Sequence, residues 1–449
     1  SSMKNRNSVL TSSGIAFVLL ISTLPFVLPL REPTWDAAVY WGAGKFLWSG
    51  GTSGLWEPLR PPLLPFVLGM FWRLGVQPWI AWWLLGAAAL VGLSFIIVRL
   101  AALLGIRDNV VLLAVASPLV VFHAGRGLTE VPAITLALLA LLFFAQRRYG
   151  WGGIVAAAAF LTKFPMGVLI VAFMAALLWS SERPRSNALA RCALGWLLPI
   201  AAFLVTNTVV YGTPLLPFLQ GTDVFAKAGI ALYREPVWFY LVEALRDNVF
   251  FALAPLGFIL ALRRRTRVRI ALACAALLLL GYFTLTTHKE VRFVVLMAPL
   301  LGLLAASVLD RWRMPWVRAA LILIIVAQAG LGGIYYARYD APLVPSVMAT
   351  DAILAATPGP VLVANPRPAL AIDNQMALLY YPVLDAQRFD DERGRLHRYS
   401  ALSLNDCDMT CEDDACAAAK QRFLAQVDML FSTTATVMRD GCAWVSYAR

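Results

Sequence analysis

Apolar residues arrive in blocks of about twenty along this chain, the length of helix needed to cross a hydrocarbon layer roughly 30 Å thick. The blocks place spans near residues 14–30, 79–104, 108–123, 129–146, 150–163, 165–180, 192–210, 248–262, 270–287, 293–309 and 316–336. The expected fold class is an all-α polytopic membrane protein with about 11 transmembrane helices. Composition agrees: 60% of the 449 residues are apolar and 14% charged, more apolar surface than a soluble chain of this length can hide. The first run is too long and too weakly cleavable for a removed signal peptide, and Ser1 and Ser2 ahead of Met3 look like an expression remnant.

In a soluble chain a formal charge of +12 would suggest nucleic acid or acidic partners; here its distribution matters more. With the amino terminus cytoplasmic, the connections on that side and the span ends beside them hold 17 of the 38 Lys and Arg, including Arg263, Arg264, Arg265, Arg267 and Arg269. They hold only Asp108, Glu182 and Asp310 of the 26 acids, so that side nets +14 and the rest of the chain −2. This is the positive-inside pattern. The arginine run then serves topology and contact with anionic lipid, and nucleic acid is not an expected partner. The expected location is a multi-pass cell (inner) membrane, with the amino terminus cytoplasmic and the active site and tail extracytoplasmic.

Three pieces fall on the far side: a first loop at 31–78, a loop at 211–247 and a tail at 337–449. The first loop contains two stretches apolar on one side, Ala37 to Trp48 and Leu63 to Leu74, too short to cross and rich in Trp, and therefore expected as helices lying in the interface. Two domains follow, a transmembrane catalytic domain at 1–336 and an extracytoplasmic α/β domain at 337–449. In the tail, strands are expected at Val361 to Ala364, Ala377 to Tyr381, Met429 to Phe431 and Ala443 to Tyr447, with helices at Asp351 to Ala356 and Asp414 to Val427. Arg439-Asp440-Gly441 reads as the turn before the last strand.

Cys407, Cys411, Cys416 and Cys442 lie in the tail, and on an outer face an even cluster argues for two disulfides. A zinc site is the rival, but there is no CxxC pair and the only nearby histidine is His397. Cys192 and Cys274 sit in spans as packing residues. There is no Walker loop, GxSxG elbow, HExxH or EF-hand, and Asp390-Asp391 and Asp413-Asp414 read as solvated surface, so no cofactor and no metal is expected.

Ionised groups are costly inside a span, so those at span ends stand out. Asp36, Glu130, Lys163, His288, Lys289, Glu290 and Arg292 all map to the outer face. The His288 to Arg292 connection packs four polar groups where a simple turn would use Gly, Asn, Ser or Pro. Cations at membrane level suit a lipid-linked phosphate, and a carboxylate suits a general base. Tyr40, Trp41 and Trp56 offer faces for a sugar ring. Together they describe glycosyl transfer from a polyprenyl-phosphate sugar, whose monophosphate leaving group requires less charge neutralisation than a nucleotide diphosphate. Glu130 and Lys163 rest on position alone, as a second acidic catalytic group and a phosphate ligand, each against an ion-paired or snorkelling alternative.

Trp35-Asp36-Ala37-Ala38-Val39-Tyr40-Trp41, Leu55-Trp56-Glu57-Pro58-Leu59-Arg60-Pro61 and His288-Lys289-Glu290-Val291-Arg292-Phe293 resemble the C-type glycosyltransferase superfamily. The last string is similar to that of lumenal mannosyltransferases that use dolichyl-phosphate mannose, and Arg60-Pro61-Pro62-Leu63 to bacterial aminoarabinose and protein mannosyl transferases. The resemblance implies Asp36 as catalytic base, His288, Lys289, Glu290 and Arg292 at the donor phosphate or acceptor, and Glu57 and Arg60 at matching first-loop positions. The expected activity is inverting transfer, mannose favoured, from a polyprenyl-phosphate donor to a hydroxyl of a lipid-linked glycan or protein acceptor, with Arg60 and Lys163 helping to hold the phosphate. The rival class, a transporter or flippase of lipid-linked saccharides, expects broken helices with mid-membrane polar groups and two related halves, which the chain lacks.

Overall fold

The structure, a computed structural model, describes residues 33–107, 109–182, 187–231, 233–312, 315–337, 354–380, 384–439 and 441–449. The expected span 14–30 lies outside them. The described residues are mostly helical with one five-stranded sheet, and their contacts form two units. One, the helical unit, holds described residues of 82–219 and 228–337; the other, the sheet unit, holds those of 33–81, 220–227 and 354–449.

Apolar runs become helices at the expected places. Pro78–Leu104, Ala188–Tyr211, Arg267–Leu285 and Pro315–Gly332 are long and apolar enough to cross a membrane. The others are shorter, from 16 residues in Glu130–Ala145 to 7 in Pro118–Ala124, because 3-10 turns and prolines interrupt the runs. The span expected at 108–123 divides into a 3-10 turn, Asn109–Val115, and a helix, Pro118–Ala124. Pro118 cannot donate to a preceding turn, and extended Ser117 starts a new helix by accepting from Val120 N at 3.1 Å. Turns at Phe164–Gly167, Val249–Leu253 and Val291–Leu296 likewise precede the helices Val168–Trp179, Ala254–Arg264 and Ala298–Leu309.

Small residues set the closest approach in the helical unit. Tyr149–Thr162 packs on Ala188–Tyr211 so tightly that a Cβ on Gly153 would meet Cys192 O at 2.2 Å and one on Gly195 would meet Gly150 O at 2.3 Å. Cys192 is buried in this contact as a free thiol, the packing role expected of it.

The sheet unit is built on β1 (Val361–Val363), β2 (Met376–Leu378), β3 (Ala401–Asn405), β4 (Ser432–Arg439) and β5 (Cys442–Ala448), in the order β2-β1-β3-β5-β4. β1 runs parallel to β2 and β3, while β5 is antiparallel to β3 and β4. The turn near Gly441 is present, with Arg439 paired to Cys442 and Gly441 at φ +81. The strand expected at Met429 to Phe431 is instead the end of helix Asp414–Leu430. Asp413 caps that helix by accepting from Cys416 N at 2.7 Å, and Ala419, Phe423 and Val427 form one buried face at four-residue spacing, with extended Phe431 following the helix. β3, β4 and helix Ala386–Arg395 escaped the sequence reading. Residues 354–356 are helical, while Asp351, Tyr381 and Asp440 lie outside the described residues. Disulfides join Cys407 to Cys442 and Cys411 to Cys416, which consumes the sulfurs a zinc site would have used.

The first loop is woven into this unit. Helix Trp35–Trp48 packs on Leu63–Arg73, and residues Asp36 to Lys45 are all buried, so protein rather than an interface surrounds the helix. Gly54, at φ +75, donates to Asn374 O at 2.9 Å and accepts from Met376 N at 2.8 Å, extending the edge beside β2. Lys45 Nζ donates to Ile372 O at 2.8 Å and pairs with Asp373 at 2.8 Å. Burial lowers the pKa of Lys45, opposed by that carboxylate.

Candidate functional site

Each unit contains a compact cluster of the residues expected to carry chemistry. In the sheet unit, Thr34 caps helix Trp35–Trp48 by accepting from Ala37 N at 3.3 Å, which places Asp36 in the first turn, where the helix dipole favours a carboxylate. Asp36 Oδ1 pairs with Arg60 Nη1 at 2.7 Å, and Arg60 Nε donates to Glu57 Oε2 at 2.8 Å. Tyr380 Oη donates to Glu57 Oε1 at 2.6 Å. A line of hydrogen bonds thus runs from the end of β2 to Asp36.

Burial works against the charge on Arg60, but Asp36 and Glu57 outweigh it and hold the guanidinium protonated. Burial, reinforced by Glu57, pushes the Tyr380 phenol up, so its proton stays in place to donate. Arg60, expected to hold phosphate, instead bridges two carboxylates, a use of its planar fork that spends its charge within the cluster. It also lies 5.7 Å from the centre of the Tyr40 ring. Trp56 stacks on Phe46 at 5.8 Å, whereas Trp41 is 1% exposed and presents no face to a sugar, because helix Trp35–Trp48 is enclosed.

In the helical unit, Glu130 opens Glu130–Ala145 and is 0% exposed. Lys163, in extended backbone where Tyr149–Thr162 ends, reaches Glu130 Oε1 at 2.7 Å and Thr129 Oγ1 at 3.3 Å. Arg292 Nε stands 3.7 Å from the same Glu130 oxygen, and Arg292 Nη2 donates to Glu290 Oε1 at 2.6 Å. His288 Nε2 also meets Glu290 Oε1, and Glu290 N donates to Tyr240 Oη at 3.1 Å. Lys289 N donates to Tyr233 O at 3.2 Å and Lys289 Nζ to Thr286 O at 2.8 Å. The Tyr233 and His288 rings lie 4.3 Å apart.

Among the expected residues of this unit, the fold brings together Glu130, Lys163, His288, Glu290 and Arg292. The Glu130 carboxylate is enclosed and faces two cations, Lys163 and Arg292, which it orders. Lys289 is the cation of this loop that no carboxylate meets among the described residues. Sequence reasoning missed Tyr380, Tyr240 and Thr129. Tyr380 stands 323 positions from Glu57 at the end of an apolar run, where it reads as strand core.

Residues 75–346 match the sequence profile of the Alg9-like mannosyltransferase family. No curated protein sequence matches the chain. Among solved structures, ArnT from Cupriavidus metallidurans bound to undecaprenyl phosphate is similar at TM-score 0.63 and 16% identity, over 98% of this chain and 97% of that one. The arabinofuranosyltransferase AftD from Mycobacteria is similar at 0.58 and 16%, over 99% of this chain and 40% of its own. The oligosaccharyltransferase AglB from Archaeoglobus fulgidus, in complex with an inhibitory peptide and a dolichol-phosphate, is similar at 0.58 and 11%, over 97% of this chain and 74% of its own.

Proposed function

The chain belongs to the Alg9-like mannosyltransferase family, and from that premise we propose that it is an inverting, membrane-embedded glycosyltransferase moving mannose from a polyprenyl-phosphate carrier to a hydroxyl acceptor on the non-cytoplasmic face. Its membership bears out the resemblance to C-type glycosyltransferases at the level of the family. Lipid phosphates are bound in the ArnT and AglB structures, which supports the choice of donor class. The acceptor is proposed as a lipid-linked glycan or a protein.

The observation that carries the reading is the His288 to Arg292 loop. Lys289 is 8% exposed and without a carboxylate partner among the described residues, beside Arg292 and His288. A buried cation is costly alone, and a phosphate monoanion offsets it. In the proposed reaction the acceptor oxygen bonds to the anomeric carbon as its proton passes to Asp36, while the bond from that carbon to the lipid phosphate breaks and its electron pair leaves on the phosphate. Lys289, Arg292 and Lys163 stabilise the departing charge, and we propose that this suffices without a metal. One displacement with one base inverts the anomeric configuration.

The test supplies purified protein with polyprenyl-phosphate mannose, glucose and pentose donors and follows release of polyprenyl phosphate. Release with the mannose donor, and an inverted product, is expected. Translocation of the lipid without release from any donor contradicts transfer.

A further inference from the structure

A second charged site lies in the helical unit, far from the His288 to Arg292 loop. The carboxy-terminal end of Pro78–Leu104, the amino-terminal end of Arg267–Leu285 and the end of Ala298–Leu309 surround a cavity of about 360 Å³ lined by Arg107, Arg264, Arg269, Arg311, Ser307 and Asp310. The volume is that of small-ligand sites. Helix Arg267–Leu285 separates this cavity from the 288–292 loop by its whole length, 19 residues or about 28 Å. An anion here is therefore not the donor phosphate.

A topology signal alone requires cations only in water beside the membrane. This arrangement goes further. Arg269 is 8% exposed and donates to Leu104 O, and Gly105, at φ +74, leaves a Cβ-sized position 3.9 Å from its Nη2. Among the described residues no carboxylate pairs with Arg264, Arg269 or Arg311. Asp310 is the acidic group of the lining, and its Oδ1 already accepts from Arg107 N at 2.9 Å. Like charges drawn into one concavity repel unless an anion sits among them, and guanidinium forks match phosphate oxygens in pairs.

We propose that this cavity is a phosphate-binding site. Two of the helices that end at it, Pro78–Leu104 and Arg267–Leu285, are long and apolar enough to cross a membrane, which puts a phospholipid headgroup within reach; free phosphate shares the same chemistry. The site is independent of the glycosyl-transfer reading.

The experiment measures thermal unfolding and native mass spectra of the full chain in detergent at fixed ionic strength, with phosphatidylglycerol, phosphatidylcholine or inorganic phosphate added. Phosphatidylglycerol is expected to raise Tm and remain bound, with phosphatidylcholine inert. The double variant Arg264→Gln/Arg311→Gln removes two exposed side chains and should fold. It is expected to require about thirtyfold more lipid, given the roughly fivefold that each Lys or Arg contributes near an anionic surface. Arg263→Gln, outside the lining, is expected to respond like the parent. The same response to inorganic phosphate alone assigns the site to the free anion. An equal loss in Arg263→Gln reduces the effect to diffuse surface charge, and no response to either phosphate source in the parent removes the site; each overturns the proposal.

Discussion

The two clusters balance their charges in opposite ways. In the sheet unit one guanidinium, Arg60, is divided between the carboxylates of Asp36 and Glu57, and a neutral donor, Tyr380, completes Glu57. In the helical unit one carboxylate, Glu130, is divided between Lys163 and Arg292, and Arg292 and His288 converge on Glu290 beside Lys289. A carboxylate that has only part of a cation retains basicity, whereas cations that outnumber their carboxylates retain affinity for an anion. The first arrangement suits a group that accepts a proton and the second a site that holds phosphate.

The largest effect should come from removing the proposed base. Asp36→Asn keeps the shape and a hydrogen-bond acceptor for Arg60 but loses the proton acceptor, so release of polyprenyl phosphate should fall by about 10² to 10⁴ with little change in donor KM. A loss of only a few-fold would move the base elsewhere and break the contrast between the clusters. Lys163→Met is expected to lower stability as well as release. It leaves the fully buried Glu130 carboxylate with Arg292 at 3.7 Å, and breaking such a pair costs about 3–5 kcal/mol of stability, read as a lower midpoint of unfolding in detergent. Adding Glu130→Gln should recover part of that loss, since the unpaired charge goes with it.

A third buried carboxylate sharpens the contrast because no cation balances it among the described residues. Asp247 is 2% exposed; its Oδ2 accepts from Ser117 Oγ at 2.5 Å and its Oδ1 from Leu119 N at 2.9 Å. Burial pushes its pKa from 3.8 up to about 7, with Glu243 adding to the rise and the two hydrogen bonds opposing it. The folded pKa lies above the unfolded one. Stability from this group is therefore complete below pH 3.8 and is lost as pH rises through about 7. The parent Tm should be higher at pH 5 than at pH 8, and Asp247→Asn should flatten that slope. A smaller effect is expected from Lys289→Ala, which removes one charged contact to the donor phosphate and should raise donor KM about tenfold with kcat nearly unchanged.

What could be read from the sequence divides along the same physical line. Apolar runs and their flanking charges are local signals, so the helical elements, the short helices of the first loop and the presence of two disulfides were legible, but not which cysteines pair. The break between the runs 150–163 and 165–180 was legible too, but the interruption at Ser117-Pro118 was not, because a run keeps its apolar character across a break that only backbone geometry reveals. The strand expected at Met429 to Phe431 failed for the reverse reason: three apolar residues look alike in a strand and in the last turn of a helix. Asp36 and the His288 to Arg292 loop were visible as charges in unusual places, and Arg60 through the family resemblance alone. Their partners were not, since Tyr380 and Tyr240 are drawn in from distant segments.

Tyr380→Phe tests the smallest and most specific part of the contrast, the neutral donor that separates the acid-rich cluster from the cation-rich one. The substitution preserves the ring and its contact with Trp35, whose centroid lies 4.8 Å away, and deletes only the proton given to Glu57. Without that donor, Glu57 draws more of the Arg60 charge to itself, and Asp36 keeps a smaller share. Net loss of one hydrogen bond is worth about 1 kcal/mol, so turnover near neutral pH should fall about fivefold. A rearrangement that reaches the base should displace the acid limb of kcat/KM. A structural role alone would lower Tm and leave the limb in place. A displaced limb at unchanged Tm would make β2 and its tyrosine part of the machinery that sets the base, and would give the tail domain a catalytic reason to be folded onto the first loop.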